Sequence, residues 1–171
     1  MRASTAIDRV CMALAIAMLG VMLAAVSWQV VARYAMAMPP IWTEAIARYA
    51  MVWAGMLGAA CAFRAGADPV LFPAALARRG WTGKALALVR AGGVMLLAGP
   101  VLWYALFDGR GEITRGFLAR SAGRKADMLD LSMIWFTAAV PVGFMLIALH
   151  TLAMTTAILA ADALRTEADT A

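Results

Sequence analysis

Chemistry, if this chain has any, must come from a handful of ionisable groups set in or beside long apolar stretches. Glu44 and Arg48 lie four residues apart, the spacing that puts a carboxylate and a guanidinium on one helix face. Taken alone the pair is an exposed helix contact of ~0.3–0.5 kcal/mol. Between Trp42, Tyr49 and the Pro39-Pro40 pair it equally suits a contact surface for a partner subunit. His150 is the only histidine and sits deep in an apolar run, where a proton relay competes with a simple hydrogen bond to a neighbouring helix. With no carboxylate near it in sequence, the hydrogen-bond reading is the stronger. Arg90 stands near the start of another run, where a long side chain can snorkel toward headgroups. Cys11 and Cys61 have no CxxC spacing and no ligand set beside them, and read as small packing residues.

The missing residues say more. No Asp or Glu occurs from Val10 to Val31, from Tyr49 to Phe63, from Ala91 to Phe107, or from Leu131 to Ala161. A carrier coupling a solute to protons or cations needs such groups inside the bilayer, where each costs about 2.5–3.5 kcal/mol unless partnered or used. This chain is not equipped to drive transport alone.

The elements that hold these residues follow from composition. At 171 residues, 64% hydrophobic and a mean hydropathy of +0.81, the chain is too apolar for a soluble domain, whose apolar share is roughly 45–50%. The expected fold is an all-α integral membrane bundle of four transmembrane helices, one membrane domain with spans near 10–32, 43–64, 85–107 and 131–161. The partners implied by composition are therefore lipid, not nucleic acid: the net charge of +5 is spread along the chain without a cluster or nucleic-acid motif. Ala25-Val26-Ser27 resembles a signal-peptide cleavage site, but the apolar run continues to Val31, beyond the ~7–15 residues of such a leader.

Span two is the organising stretch. Thr43 is placed to cap its first amides and Glu44 to meet its positive end. Trp42, Tyr49 and Trp53 form a bulky ridge, while Gly55, Gly58, Ala59 and Ala62 form a smooth side suited to close helix packing. Arg33 and Tyr34 mark the interfacial exit of span one. Residues 64–84 form a basic link whose Leu71, Phe72, Leu76 and Trp81 suit a segment lying on the membrane surface. Gly99-Pro100 and Pro141 kink spans three and four, and residues 108–130 form a glycine-rich polar loop. Basic residues divide evenly between the two sides, so charge alone gives no orientation.

Two alternatives fit the residues less well. Membrane CDP-alcohol phosphotransferases, lipid-precursor enzymes, order an Asp-Gly, an Ala-Arg, a Gly and two further Asp much as Asp108-Gly109, Ala119-Arg120, Gly123, Asp127 and Asp130 stand here. The Ala-Arg comes too late, the last two Asp are three apart where the family has four, and the segment is loop where the family has helix. A small multidrug exporter, the alternative of a stand-alone carrier, needs a Glu in its first span, and 10–31 has none.

Arg33-Tyr34, Trp42-Thr43-Glu44, Ala47-Arg48-Tyr49, Val52-Trp53, Leu57-Gly58-Ala59-Ala60 and Phe63-Arg64-x-Gly66 resemble the small membrane subunit, DctQ type, of tripartite ATP-independent periplasmic (TRAP) transporters. Pro141-Val142-Gly143 is similar to that family's last helix. The resemblance implies a non-catalytic subunit without cofactor or metal. Its implied partners are a large permease subunit, which binds sodium ions and organic acid, and a periplasmic substrate-binding protein. It implies a bacterial inner-membrane location with both termini cytoplasmic. Arg33, Tyr34, Trp42, Glu44, Arg48, Tyr49 and Trp53 become candidates for the subunit interface or membrane anchoring. Gly55, Gly58, Ala59, Ala62, Pro141 and Gly143 are candidates for helix packing. Where many members place a His after the Phe-Arg-x-Gly, this chain has Asp68-Pro69, so no role resting on that His transfers.

Overall fold

The computed structural model describes residues 2–38, 40–66, 80–126 and 129–169. Its long helices are α1 (Arg2–Ala35), α2 (Trp42–Ala65), α3 (Trp81–Leu106) and α6 (Ala139–Asp169). Between α3 and α6 come a 3-10 turn (Ile113–Arg115), α4 (Phe117–Ala122), a small hairpin of β1 (Lys125–Ala126) and β2 (Leu129–Ser132), and α5 (Ile134–Thr137). Four helical segments, Thr5–Ala35, Trp42–Ala65, Trp81–Leu106 and Ile134–Ala160, are long and apolar enough to cross a membrane. The all-α four-span architecture is as expected; the surface segment expected between spans two and three falls largely on 67–79, outside the described residues.

Helix ends have local causes. Ala37 adopts the left-handed conformation (φ 52°), and the Met38 amide reaches back to the Ala32 carbonyl, closing α1. Gly66 (φ 66°) closes α2, its amide on the carbonyls of Ala62 and Phe63. The start of α2 differs from expectation. Its N-cap is Ile41, with no side-chain cap, and the buried Thr43 hydroxyl donates instead to the Pro40 carbonyl (2.7 Å).

Residues 131–132, expected at the head of span four, belong to β2 instead. There Lys125 pairs with Ser132 and Ala126 with Leu129, with an irregularity between the two pairs. The Ser132 hydroxyl donates to the Ala122 carbonyl (2.9 Å) and the Met133 amide to the Arg124 carbonyl (2.8 Å), tying the hairpin to α4. Pro141 then interrupts the helix. It supplies no amide to Thr137 and its ring crowds that carbonyl, so the chain turns at Ala138 and α6 restarts with Val142 bonding back to Ala138. Beyond it, the backbone stays helical to Asp169.

Packing runs along seams of small residues. The buried positions of α1 are Cys11, Ala15, Ala25 and Ala32, spaced by fours, sevens and tens as on a heptad face. On α3 they are Ala87, Ala91, Ala98 and Ala105. The main interfaces join α1 to α2, α2 to α6, and α3 to α6, so α2 and α6 form the inner pair. α6 therefore has two buried sides, and Ala139, Pro141, Gly143, Ala148, His150, Thr151 and Thr155 are all enclosed. A side-chain carbon on Gly143 would fall 2.5 Å from Met56 Cε and 2.9 Å from Met56 Cβ, so α2 and α6 meet where only hydrogen fits. Gly55 and Gly58 have nothing within 4 Å of such a carbon, and Gly55 and Ala59 are exposed.

Gly143→Val should force α2 and α6 apart and lower stability by about 1–3 kcal/mol, the usual cost of overpacking. Gly55→Val should change it by less than about 0.5 kcal/mol. Denaturation of the purified chain in mild detergent measures both, and equal losses would refute this packing.

Candidate functional site

Two polar regions stand at opposite ends of the inner pair. At the end formed by the start of α1 and the finish of α2, Asp8 and Arg64 form an ion pair (2.7 Å) with side chains 28% and 22% exposed. The Arg64 guanidinium also donates to the Thr5 hydroxyl (3.0 Å), and the Cys61 thiol points to the Asp8 carbonyl (3.8 Å). Beside them lies a buried apolar cluster of Cys11, Ala15, Leu57 and Cys61, with Ile7, Trp53 and Leu146 against it. His150 of α6 is 0% exposed and within electrostatic reach of Arg64 and Asp8. The Arg90 guanidinium lies 4.3 Å above the Phe63 ring, a cation–π contact tying α3 to α2.

This region is a clamp. Asp8 and Arg64 read in sequence only as polar flanks of two spans, and the pair becomes visible once α1 and α2 are laid antiparallel. Both cysteines are free thiols, buried in the apolar cluster.

At the other end, the interface and anchoring candidates separate into two groups. Tyr49 stacks on Phe136 of α5, ring centroids 5.1 Å apart, and the Trp53 indole donates to the Trp135 carbonyl (2.7 Å). That carbonyl stands at the break before α6, and the indole supplies the hydrogen bond that an uninterrupted helix would have given it. Both rings are thus engaged within the chain. Glu44 and Arg48 form the expected i,i+4 pair (2.5 Å), with side chains about 60% exposed (63% and 60%). Trp42 is 45% exposed and Tyr34 82%, and Arg33 is exposed beside it. Glu44, Arg48, Tyr49, Lys125, Met133 and Phe136 surround a cavity of about 240 Å³ between α2 and the hairpin, and Lys125 is paired with Asp130 (2.5 Å).

Sequence reading missed the support beneath this surface. The Ser121 and Thr137 hydroxyls hydrogen-bond each other (2.7 Å), both buried, and join α4 to α5. Asp108 Oδ1 accepts the amides of Arg110 (2.7 Å) and Glu112 (3.1 Å), folding the chain back after α3. These amides, Glu112 first, hold the Asp108 carboxyl below its usual range, with Arg115 and Arg120 adding to the effect. Asp108 is a charged structural anchor, not a proton donor. Among the described residues no group of three or more His, Cys, Asp or Glu is placed to hold a metal ion.

Two measurements check these assignments. Asp8→Asn leaves Arg64 without its counter-charge and should cost about 1–3 kcal/mol, with Asp8→Arg/Arg64→Asp recovering part of the loss. For Asp108 the folded carboxyl titrates below the unfolded one, so its contribution is complete above the ordinary carboxylate range. It is lost as pH falls through the lowered value. Protection of the Arg110 and Glu112 amides, taken relative to the intrinsic exchange rate at each pH, should therefore fall in strong acid, and Asp108→Ala should remove that acid-linked loss of protection.

Comparison with known proteins adds one positive finding. Residues 22–161 match the family described as "Tripartite ATP-independent periplasmic transporters, DctQ component". No curated protein matches the chain. The matched range takes in α2, α3, the loop region and most of α6, and leaves Asp8 outside it.

Proposed function

The chain belongs to the DctQ family of tripartite ATP-independent periplasmic transporter components, and from that premise we propose that it is the scaffold of such a transporter. It is a multi-pass membrane protein and a transporter component. In the proposed role it catalyses nothing. It braces a large permease subunit, which takes up an organic acid together with sodium ions, the acid being delivered by a periplasmic binding protein, in a bacterial inner membrane. Both its termini lie in the cytoplasm.

The observation that carries this reading is the family match over residues 22–161, joined to four apolar runs that contain no carboxylate. Among the described residues, Asp8 is paired with Arg64, Glu44 with Arg48, and one oxygen of Asp108 accepts two amides. Such a body supplies shape and packing surface, and the driving chemistry must reside in its partner. The exposed face of α2, with Glu44, Arg48, Gly55 and Ala59, is the surface proposed to receive that partner, with Trp42 at the head of the helix beside it. An Arg–Glu pair flanked by an aromatic ring and followed by small residues offers orientation at the interface and close approach within the bilayer.

Reconstituted alone in vesicles under a sodium gradient, the chain should take up no organic acid. Together with a large permease subunit and its binding protein, uptake should appear. Glu44→Ala with Arg48→Ala should reduce co-purification of the large subunit severalfold while leaving the isolated chain folded. Coupled uptake by the chain alone, or unchanged assembly and uptake in the double variant, overturns the proposal.

A further inference from the structure

A crevice of about 860 Å³ opens between α3 and α6 at the loop end of the bundle, within the ~300–1,000 Å³ typical of ligand sites. It exists because α2 and α3 both lean on α6 and share no extensive interface of their own. Its walls are apolar: Val52 of α2, Val101 and Tyr104 of α3, and Val140 beside the helix break. α4 roofs it with Phe117. That roof is pinned, because a side-chain carbon on Gly116 would come inside 3.0 Å of the Leu106 carbonyl, so α4 sits directly on the end of α3.

The rim carries one charge of each sign. Asp108 lies two residues beyond the end of α3, just past the apolar run of that span, and Arg120 of α4 lines the same crevice. They do not pair with each other: Asp108 Oδ1 is occupied by two backbone amides, and Arg120 makes no ion pair among the described residues. Oδ2 of Asp108 and the Arg120 guanidinium remain to meet charges from outside. An apolar slot in a membrane-facing wall, ending in a separated cation and anion, complements a zwitterionic lipid bearing a primary ammonium.

We propose that this crevice holds one phosphatidylethanolamine molecule, its acyl chain between α3 and α6, its phosphate on Arg120 and its ammonium on Asp108. The donors are matched. A guanidinium presents a fork of N–H groups to phosphate oxygens, and a carboxylate accepts from an ammonium. Phosphatidylglycerol offers the same phosphate but a hydroxyl where the ammonium would be, and so lacks the second contact. The site needs only this chain and stands whether or not the scaffold reading holds.

The full chain, placed in nanodiscs of equal phosphatidylethanolamine and phosphatidylglycerol and released into mild detergent, is examined by native mass spectrometry. One phosphatidylethanolamine per chain should be retained, favoured over phosphatidylglycerol roughly two- to fivefold, the range of an exposed ion pair. Asp108→Asn keeps an oxygen for the two amides and should abolish the preference while lipid is still held. Arg120→Gln should weaken retention of both lipids. Val101→Trp, which fills the slot and leaves the rim intact, should expel the lipid, with circular dichroism confirming the fold. Equal retention of the two lipids by the unaltered chain, no retained lipid, or retention unaffected by Val101→Trp overturns the assignment.

Discussion

Helices in lipid gain nothing from leaving water, so they cohere only where their backbones come close enough for dispersion to add up. Every interface here obeys that constraint. Alanines at 15, 25 and 32 of α1, 50 and 60 of α2, and 87, 91, 98 and 105 of α3 make the contact seams, while many large side chains, such as Val10, Trp28, Leu96 and Trp103, are exposed. α6 carries the constraint furthest. It is enclosed on two sides, one against α2 through Gly143 and one against α3, and its hydroxyls at Thr151 and Thr155 bond within their own helix. The polar groups added to this frame, Asp8 with Arg64 and Arg90 over Phe63, stitch helix ends that the seams have already brought together.

The break before α6 shows how backbone chemistry is settled without water. Pro141 removes one amide, and the turn at Ala138 leaves carbonyls without helical partners. Trp53 covers that of Trp135, and the Thr137 hydroxyl bonds the buried Ser121. α4 and the hairpin fold over the break through Ser132 and Arg124, so the loop region is organised around the proline. That region also carries Arg120 and Asp108 on the crevice rim.

The class of fold was legible because composition and run length alone determine it. Which side of each helix faces inward was not. All four helices are apolar all round, so no polar stripe marks the outside. Gly55, Gly58, Ala59 and Ala62 satisfy the small-residue rule, yet the contacts inside the chain use Ala50, Leu57, Ala60 and Cys61 on another side of α2. The Asp8–Arg64 clamp was readable in principle: the pairs Asp8–Arg64, Cys11–Cys61 and Ala15–Leu57 are all centred on residue 36, in the link between α1 and α2. The short strands from 125 to 132 had no signal, since neither alternation nor turn residues distinguish them from loop. Thr43 looked like a cap because its type and position fit, but the prolines before it put an unbonded carbonyl within closer reach.

The direct contact of Gly143 with Met56 has a bearing on permeation. Two inner helices touching at van der Waals distance leave no axis for a lumen, and the two outer helices flank them on separate sides. The body of this subunit is thus closed between its inner pair where Gly143 meets Met56.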